Sequence, residues 1–213
     1  MTLSREILAG PTLDAARALL GAHLVREAPD GSPEARRVGR IVEVEAYIGE
    51  DDAASHARFG RTPRNAVMFG PAGIAYVYLV YGMYECLNVV TEPAGRPAAV
   101  LIRAVEPVAG IPAMRAARLA HALRRAPAAD AQERAAERIG ALPRGGLTAG
   151  PGLVAAAFDI SREHTGLDLL DPGAPLRIEL GTTPMEIVAA PRIGIGYAPE
   201  PWRSLPWRFL ERP

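Results

Sequence analysis

Two β-rich runs, 74–81 and 84–91, meet at Gly82-Met83, and a third apolar run, 98–105, comes soon after. Gly82-Met83 signals a hairpin. Strict βαβ alternation, which a doubly wound parallel sheet needs, is absent. A further strong strand is expected over 38–48, with Ile41, Val42, Val44 and Ala46 as its apolar residues. Short strands are expected at 22–27, 176–180, 187–190, 193–195 and 207–210, and helices at 11–20, 111–124, 129–140 and 151–158. The expectation is an α+β fold. It has a mostly antiparallel, mixed β-sheet, surrounding helices and a protruding β-hairpin. Residues 1–213 read as a single domain, since no repeat or linker divides them.

The same strand pattern places side chains. By the two-residue period Glu43, Glu45 and Tyr47 share one face, as do Tyr76 and Tyr78. A helical turn opened by aspartates is expected over 51–57, and it would hold His56. Thr62-Pro63-Arg64-Asn65 reads as a loop entering another short helix. Five of the six tyrosines (47, 76, 78, 81 and 84) fall in one stretch with Glu45, His56, Arg58, Arg61 and Arg64. Such tyrosines can belong to a half-buried sheet, or can stack a flat ligand that carries phosphates. Glu45 can act as a general base on water; equally, Glu43 and Glu45 can face solvent from a strand. Tyr81, at the hairpin tip or on the face opposite Tyr76 and Tyr78, can wedge between base steps or pack under a loop.

Charge excludes less than it usually does. The net charge is zero, whereas a DNA binder is usually basic. Five acids crowd into residues 43–52, and residues 111–144 hold seven arginines against three acids. An acidic pocket flanked by basic surface is one reading, and a solvated helical face of mixed charge is the other. All 24 basic residues are arginine, so no side-chain amine can form a Schiff base. One cysteine excludes an internal disulfide and fits a reducing compartment. The opening residues lack a secretory pattern and no window suits a membrane helix, so a cytoplasmic or nucleoid-associated protein is expected. Walker, dinucleotide, zinc-spacing and Gly-x-Ser-x-Gly motifs are all missing, so no metal or cofactor is expected.

Taken in order, several segments resemble the alkyladenine (3-methyladenine) DNA glycosylases. They are V-E-A-Y at 44–47, the aspartates and His56 of E-D-D-A-A-S-H, T-P-R-N at 62–65, Y-V-Y-L-V-Y-G-M-Y at 76–84 and Asn88. The resemblance continues through V-L-I-R-A-V-E-P at 100–107, Gly150-Pro151, R-I-G-I-G at 192–196 and L-P-W-R-F at 205–209. It implies an enzyme that flips an alkylated or deaminated purine out of double-stranded DNA and hydrolyses its glycosidic bond. In that pattern Glu45 activates the water. Tyr47, His56, Tyr78 and Asn88 form the base pocket, with Asn88 set against the exocyclic amine of guanine. Tyr81 and Met83 form the wedge. Arg58, Arg61, Thr62, Arg64 and Arg103 are placed on the DNA side, whereas Tyr76 and Tyr84 are read as scaffold. A monomer without lyase activity is expected. A non-catalytic damaged-DNA binding module and a hydrolase of free nucleosides are the alternatives. One geometric expectation follows for the hairpin: Tyr78 and Asn88 face one pocket and sit opposite each other, across a three-residue loop of 82–84.

Overall fold

The computed structural model describes residues 3–28, 30–80, 82–126 and 128–212. Eight described strands form one sheet: β1 (His23–Arg26), β2 (Arg37–Ile48), β3 (Ala75–Val80), β4 (Tyr84–Val90), β5 (Ala98–Ala109), β6 (Leu176–Glu179), β7 (Ile187–Ala190) and β8 (Arg208–Glu211). Every described ladder is antiparallel, and the main order is β3-β4-β5-β2-β1-β6. Five described helices accompany it: α1 (Arg5–Ala9), α2 (Thr12–Leu19), α3 (Ile111–Leu123), α4 (Ala129–Gly140) and α5 (Pro151–Phe158). This is the α+β class that consecutive strands require. Among the described residues no helix is long and apolar enough to cross a membrane.

The long strand β2 organises the sheet. Its residues 37–40 pair with β1 and residues 43–45 with β8, while β5 runs along the whole strand. The β2–β5 register shifts on both sides of Glu43, and such bulges bend a strand and re-aim its side chains. The core joins Ile41 and Val44 of β2 to Ile102 of β5, Leu19 of α2, Phe158 of α5 and Phe209 of β8. Each large apolar side chain so buried contributes about 1.5–3 kcal/mol. Two smaller clusters anchor loops: Ala57, Met68 and Tyr76 in one, Ala54, Ile195 and Ala198 in the other.

Helix α5 lies against β4 because Gly152 leaves room for it. A Cβ there would sit 2.6 Å from the Cβ of Tyr84, inside any normal contact. This packing bears on the hairpin register, where the expectation fails. The observed pairs are Val80 with Tyr84, Tyr78 with Cys86 and Tyr76 with Asn88, so the connecting residues are 81–83 and Tyr84 is already in the ladder. Tyr78 and Asn88 are therefore not opposite each other, although the two-residue period keeps them on one face. Tyr81 itself lies outside the described residues.

Two further expectations are corrected. Residues 193–195 form a loop, because the Ile193 amide turns to a carboxylate and Gly194 adopts φ 78°. Residues 51–55 are not a helical turn either. Asp52 points inward to accept from Ile48 and Ala54 amides, and a 3₁₀ turn begins only at His56 (His56–Phe59). The short helix α1 has no counterpart in the sequence expectation.

Candidate active site

Glu45 is held from both flanks of its strand, opposite Leu101 on β5 and Arg208 on β8. Its side chain is fully buried. Three donors meet the carboxylate: the Ile193 amide to Oε1 at 2.7 Å, the Tyr47 hydroxyl to Oε2 at 2.8 Å and Arg103 Nη1 to Oε1 at 3.2 Å. Burial pushes the Glu45 pKa above its ordinary value of 4.5, against the opposing pull of Arg103, the Ile193 amide and the Tyr47 hydroxyl. The result is a carboxylate of raised basicity with fixed orientation.

Glu43 differs from Glu45 in its partners. Arg103 Nε and Arg208 Nη1 both reach Glu43 Oε1, at 3.1 and 2.9 Å. Arg103 thus bridges the two carboxylates. Asp52 is matched in turn by Arg192. Three acids of the 43–52 cluster are therefore paired with arginines from distant segments, which goes against the acidic-pocket reading of that cluster.

Tyr47, Arg103 and Ile193 all line a cavity of about 470 Å³, and Glu45 lies one side chain behind that wall. The volume is in the usual range for a small-ligand site. Its aromatic side is built from β3 and the loop before it. His56 and Tyr78 meet edge to face with centroids 4.4 Å apart, and Tyr76 lies 5.5 Å from Tyr78. His56 Nδ1 is 3.0 Å from the Tyr76 hydroxyl. Tyr76 is therefore more than scaffold: it also lines the cavity and fixes the imidazole. Burial, then Arg64 and Arg58, lowers the His56 pKa to about 4, so the ring is neutral near pH 7. Burial likewise raises Tyr47 and Tyr78 well above the ordinary phenol value.

Asn65 makes the loop that carries His56. Its Nδ2 donates to the His56 and Gly60 carbonyls at 2.9 and 3.0 Å, and its Oδ1 accepts from the Thr62 amide at 2.7 Å. Thr62 is thus part of the loop's own wiring. Asn88, across from Tyr76, donates Nδ2 to the Tyr76 and Cys86 carbonyls at 3.0 and 3.3 Å. Two carbonyl acceptors set its amide orientation.

The mouth carries exposed apolar and basic groups. Met83 at the hairpin tip, Phe59, Ile193 and Tyr197 are all large and exposed. Arg58 donates to the Ala53 carbonyl and lies between the Phe59 and Tyr197 rings. Arg61 is exposed beside Phe69, and Arg64 is exposed with its guanidinium 5.7 Å from the Tyr78 ring. Of the residues singled out in the sequence, Glu45, Tyr47, His56, Tyr78, Asn88, Arg64 and Arg103 are gathered at this cavity. Arg192, Ile193, Asn65 and Asp52 were not singled out as site residues. Their visible signals were the R-I-G-I-G segment for Arg192 and Ile193, T-P-R-N for Asn65 and E-D-D-A-A-S-H for Asp52.

A family model for methylpurine-DNA glycosylases matches residues 6–212. A Methanocella arvoryzae protein with the provisional name 3-methyladenine DNA glycosylase is 46% identical over 210 residues, covering 99% of this chain and 92% of that one. Similarly named proteins of Myxococcus xanthus and Alkaliphilus oremlandii are each 44% identical, covering 99% and 98% of this chain and 90% and 95% of theirs. These matches define a DNA glycosylase of base excision repair. The chain belongs to the methylpurine-DNA glycosylase family.

Proposed function

We propose that the protein flips an N-alkylated purine from duplex DNA into the aromatic cavity and hydrolyses its glycosidic bond with a water activated by Glu45. The observation that carries this reading is a buried, three-donor carboxylate directly behind an aromatic cavity of about 470 Å³, roomy enough for a purine. Water oxygen attacks the sugar's anomeric carbon, and its proton passes to Glu45. The electron pair of the broken bond goes to the purine nitrogen. A cationic alkylated purine then leaves neutral, whereas a normal purine would leave as an anion.

The pocket chemistry supports that selectivity. A cation over a tyrosine face gains about 0.5–2 kcal/mol. His56 is neutral near pH 7 and adds no repulsion. The Asn88 amide is pinned by two backbone carbonyls and cannot swing aside for the exocyclic amine of guanine. Tyr81, outside the described residues, and Met83, exposed at the hairpin tip, serve as the wedge that fills the emptied stack. Arg58, Arg61 and Arg64, with the Thr62 backbone near them, hold phosphates at the mouth. Arg103 orients Glu45 from that same side.

A lyase step would have only the terminal amine as its amine nucleophile. The chain has no lysine, and burial raises the Cys86 thiol in the cavity wall to about 11. The protein acts as a monomer on one lesion at a time.

Single-turnover base release from methylated duplex tests the reading. Glu45→Gln keeps the side chain's shape and removes the base, so release should slow by about 10²–10⁴-fold. Free methylated nucleosides should remain intact, because a wedge has no use without a duplex. Wild-type release rates from the Gln variant would sink the mechanism.

A further inference from the structure

A second cavity, of about 520 Å³, opens between α3 and α4. Arg118, Arg125, Arg134 and Arg138 line it, and among the described residues no carboxylate does. Arg134 and Arg138 are four apart on α4 and share a face, while Arg118 comes from α3 and Arg125 from the turn just past its end. Arg115 fixes the two helices together by donating to the Ile139, Gly140 and Leu142 carbonyls at the end of α4. The rest of the wall is alanine, Ile139 and Leu153, with one aromatic side: Tyr84 stacks on His121 with centroids 5.8 Å apart, and Arg125 lies 5.0 Å from the Tyr84 ring.

The charges there are mostly uncompensated. Arg134 meets Asp130 at 2.8 Å, but both side chains are exposed, and such a pair is weak. The protonated form of His121 is disfavoured by burial and by Arg125, Arg124 and Arg118, with only Asp159 opposing them. A chain with no net charge has therefore concentrated positive charge in one concavity.

That concavity adjoins the hairpin. Val80 and Tyr84 are the last ladder pair before the turn; Val80 lines the first cavity and Tyr84 the second. Cross-strand partners have Cβ atoms about 4.5–5.5 Å apart. The two cavities thus flank the hairpin root. A duplex with a nucleotide in the first cavity carries its backbone past that root, with one phosphate per ~3.4 Å on each strand.

We propose that the α3–α4 cavity is a phosphate-binding site that holds the DNA backbone beside the lesion. This rests on the proposed reading of the first cavity and its hairpin as the DNA face. It gives a neutral protein a local electrostatic grip, with Arg125 and Arg138 as its point contacts. Such contacts hold position and read no sequence.

The test is the salt dependence of binding to a lesion duplex, measured between about 50 and 200 mM salt. Each lost phosphate contact lowers the slope of log affinity against log salt by about 0.9. Replacing both Arg125 and Arg138 by glutamine should lower it by about 2, and the double lysine variant should restore it. In the wild type, adding duplex should raise the His121 pKa, followed by its ring proton resonances. An unchanged slope, a weakening that lysine leaves in place, or a His121 titration indifferent to duplex would each overturn the site. Base release by the wild type is measured separately. If duplex binds but no base is released, the proposed function falls, while the slopes still decide this inference.

Discussion

Arg192 grips Asp52 with both prongs of its guanidinium, Nη1 to Oδ2 at 2.5 Å and Nη2 to Oδ1 at 2.9 Å, and both side chains are fully buried. The guanidinium also donates to the Ala46 carbonyl and lies over the Tyr47 and Trp207 rings. The next residue, Ile193, sends its amide to Glu45. One ion pair thus ties the 51–55 loop, β2 and the 191–197 loop to the carboxylate. Replacing Asp52 with alanine leaves a buried guanidinium without its partner, which costs about 3–5 kcal/mol. Urea unfolding should show that loss, and base release by the still-folded fraction should slow. A change under about 1 kcal/mol would contradict the assignment.

The Tyr47 hydroxyl is the second handle on Glu45. Its bond lowers the carboxyl's pKa, against the dominant effect of burial. The tyrosine's own pKa lies well above 10, so it remains a donor through neutral pH. Tyr47→Phe removes that donor and raises the Glu45 pKa further. Activity needs the ionised base, so the acid limb of the pH–rate profile should move to higher pH. A limb that stays in place would show that Glu45 does not set it.

His56 offers a test of sign. Its folded pKa of about 4 lies below the ordinary 6.5, so the unfolded chain binds the proton more readily between those values. Stability from this residue is complete above about pH 6.5 and declines as pH falls toward 4. His56→Gln should flatten that part of the stability profile, followed by thermal unfolding at stepped pH. Ring proton shifts of the wild type should show no titration near 6.5 from this residue.

How much of this was legible depends on the range of the forces. The two-residue period put Glu45 and Tyr47 on one face, and their side chains are bonded. The hairpin was legible from Gly82-Met83, but its register was not, because Tyr84 enters the ladder where it packs on Gly152 of α5. The aspartates at 51–52 look like a helix start, yet Asp52 is drawn inward by Arg192, a partner 140 residues away. Ile193 and Ile195 look like strand residues, yet the backbone there serves Glu45. Local pattern gave faces and element types. The pairing of Glu43, Glu45 and Asp52 with Arg103, Arg208 and Arg192 exists only after the sheet has brought the segments together.

Gly152 gives the last prediction, because two effects of one methyl group oppose each other there. Alanine is the better helix former, by roughly 0.5–1 kcal/mol over glycine. Yet its Cβ would meet the Cβ, Cγ and Cδ1 of Tyr84 at 2.6, 2.7 and 2.8 Å, and the Cβ contact cannot be relieved by rotating the ring. Overpacking of this kind typically costs about 1–3 kcal/mol, so destabilisation should win. Strain should be local to the root of the hairpin, where Val80 and Tyr84 border the two cavities. Gly152→Ala is therefore expected to unfold at lower temperature, to exchange the amide hydrogens of β3 and β4 faster than those of β1 and β6, and to release base more slowly. A variant more stable than wild type would show that α5 and β4 can separate freely, and that the hairpin is not positioned by this contact.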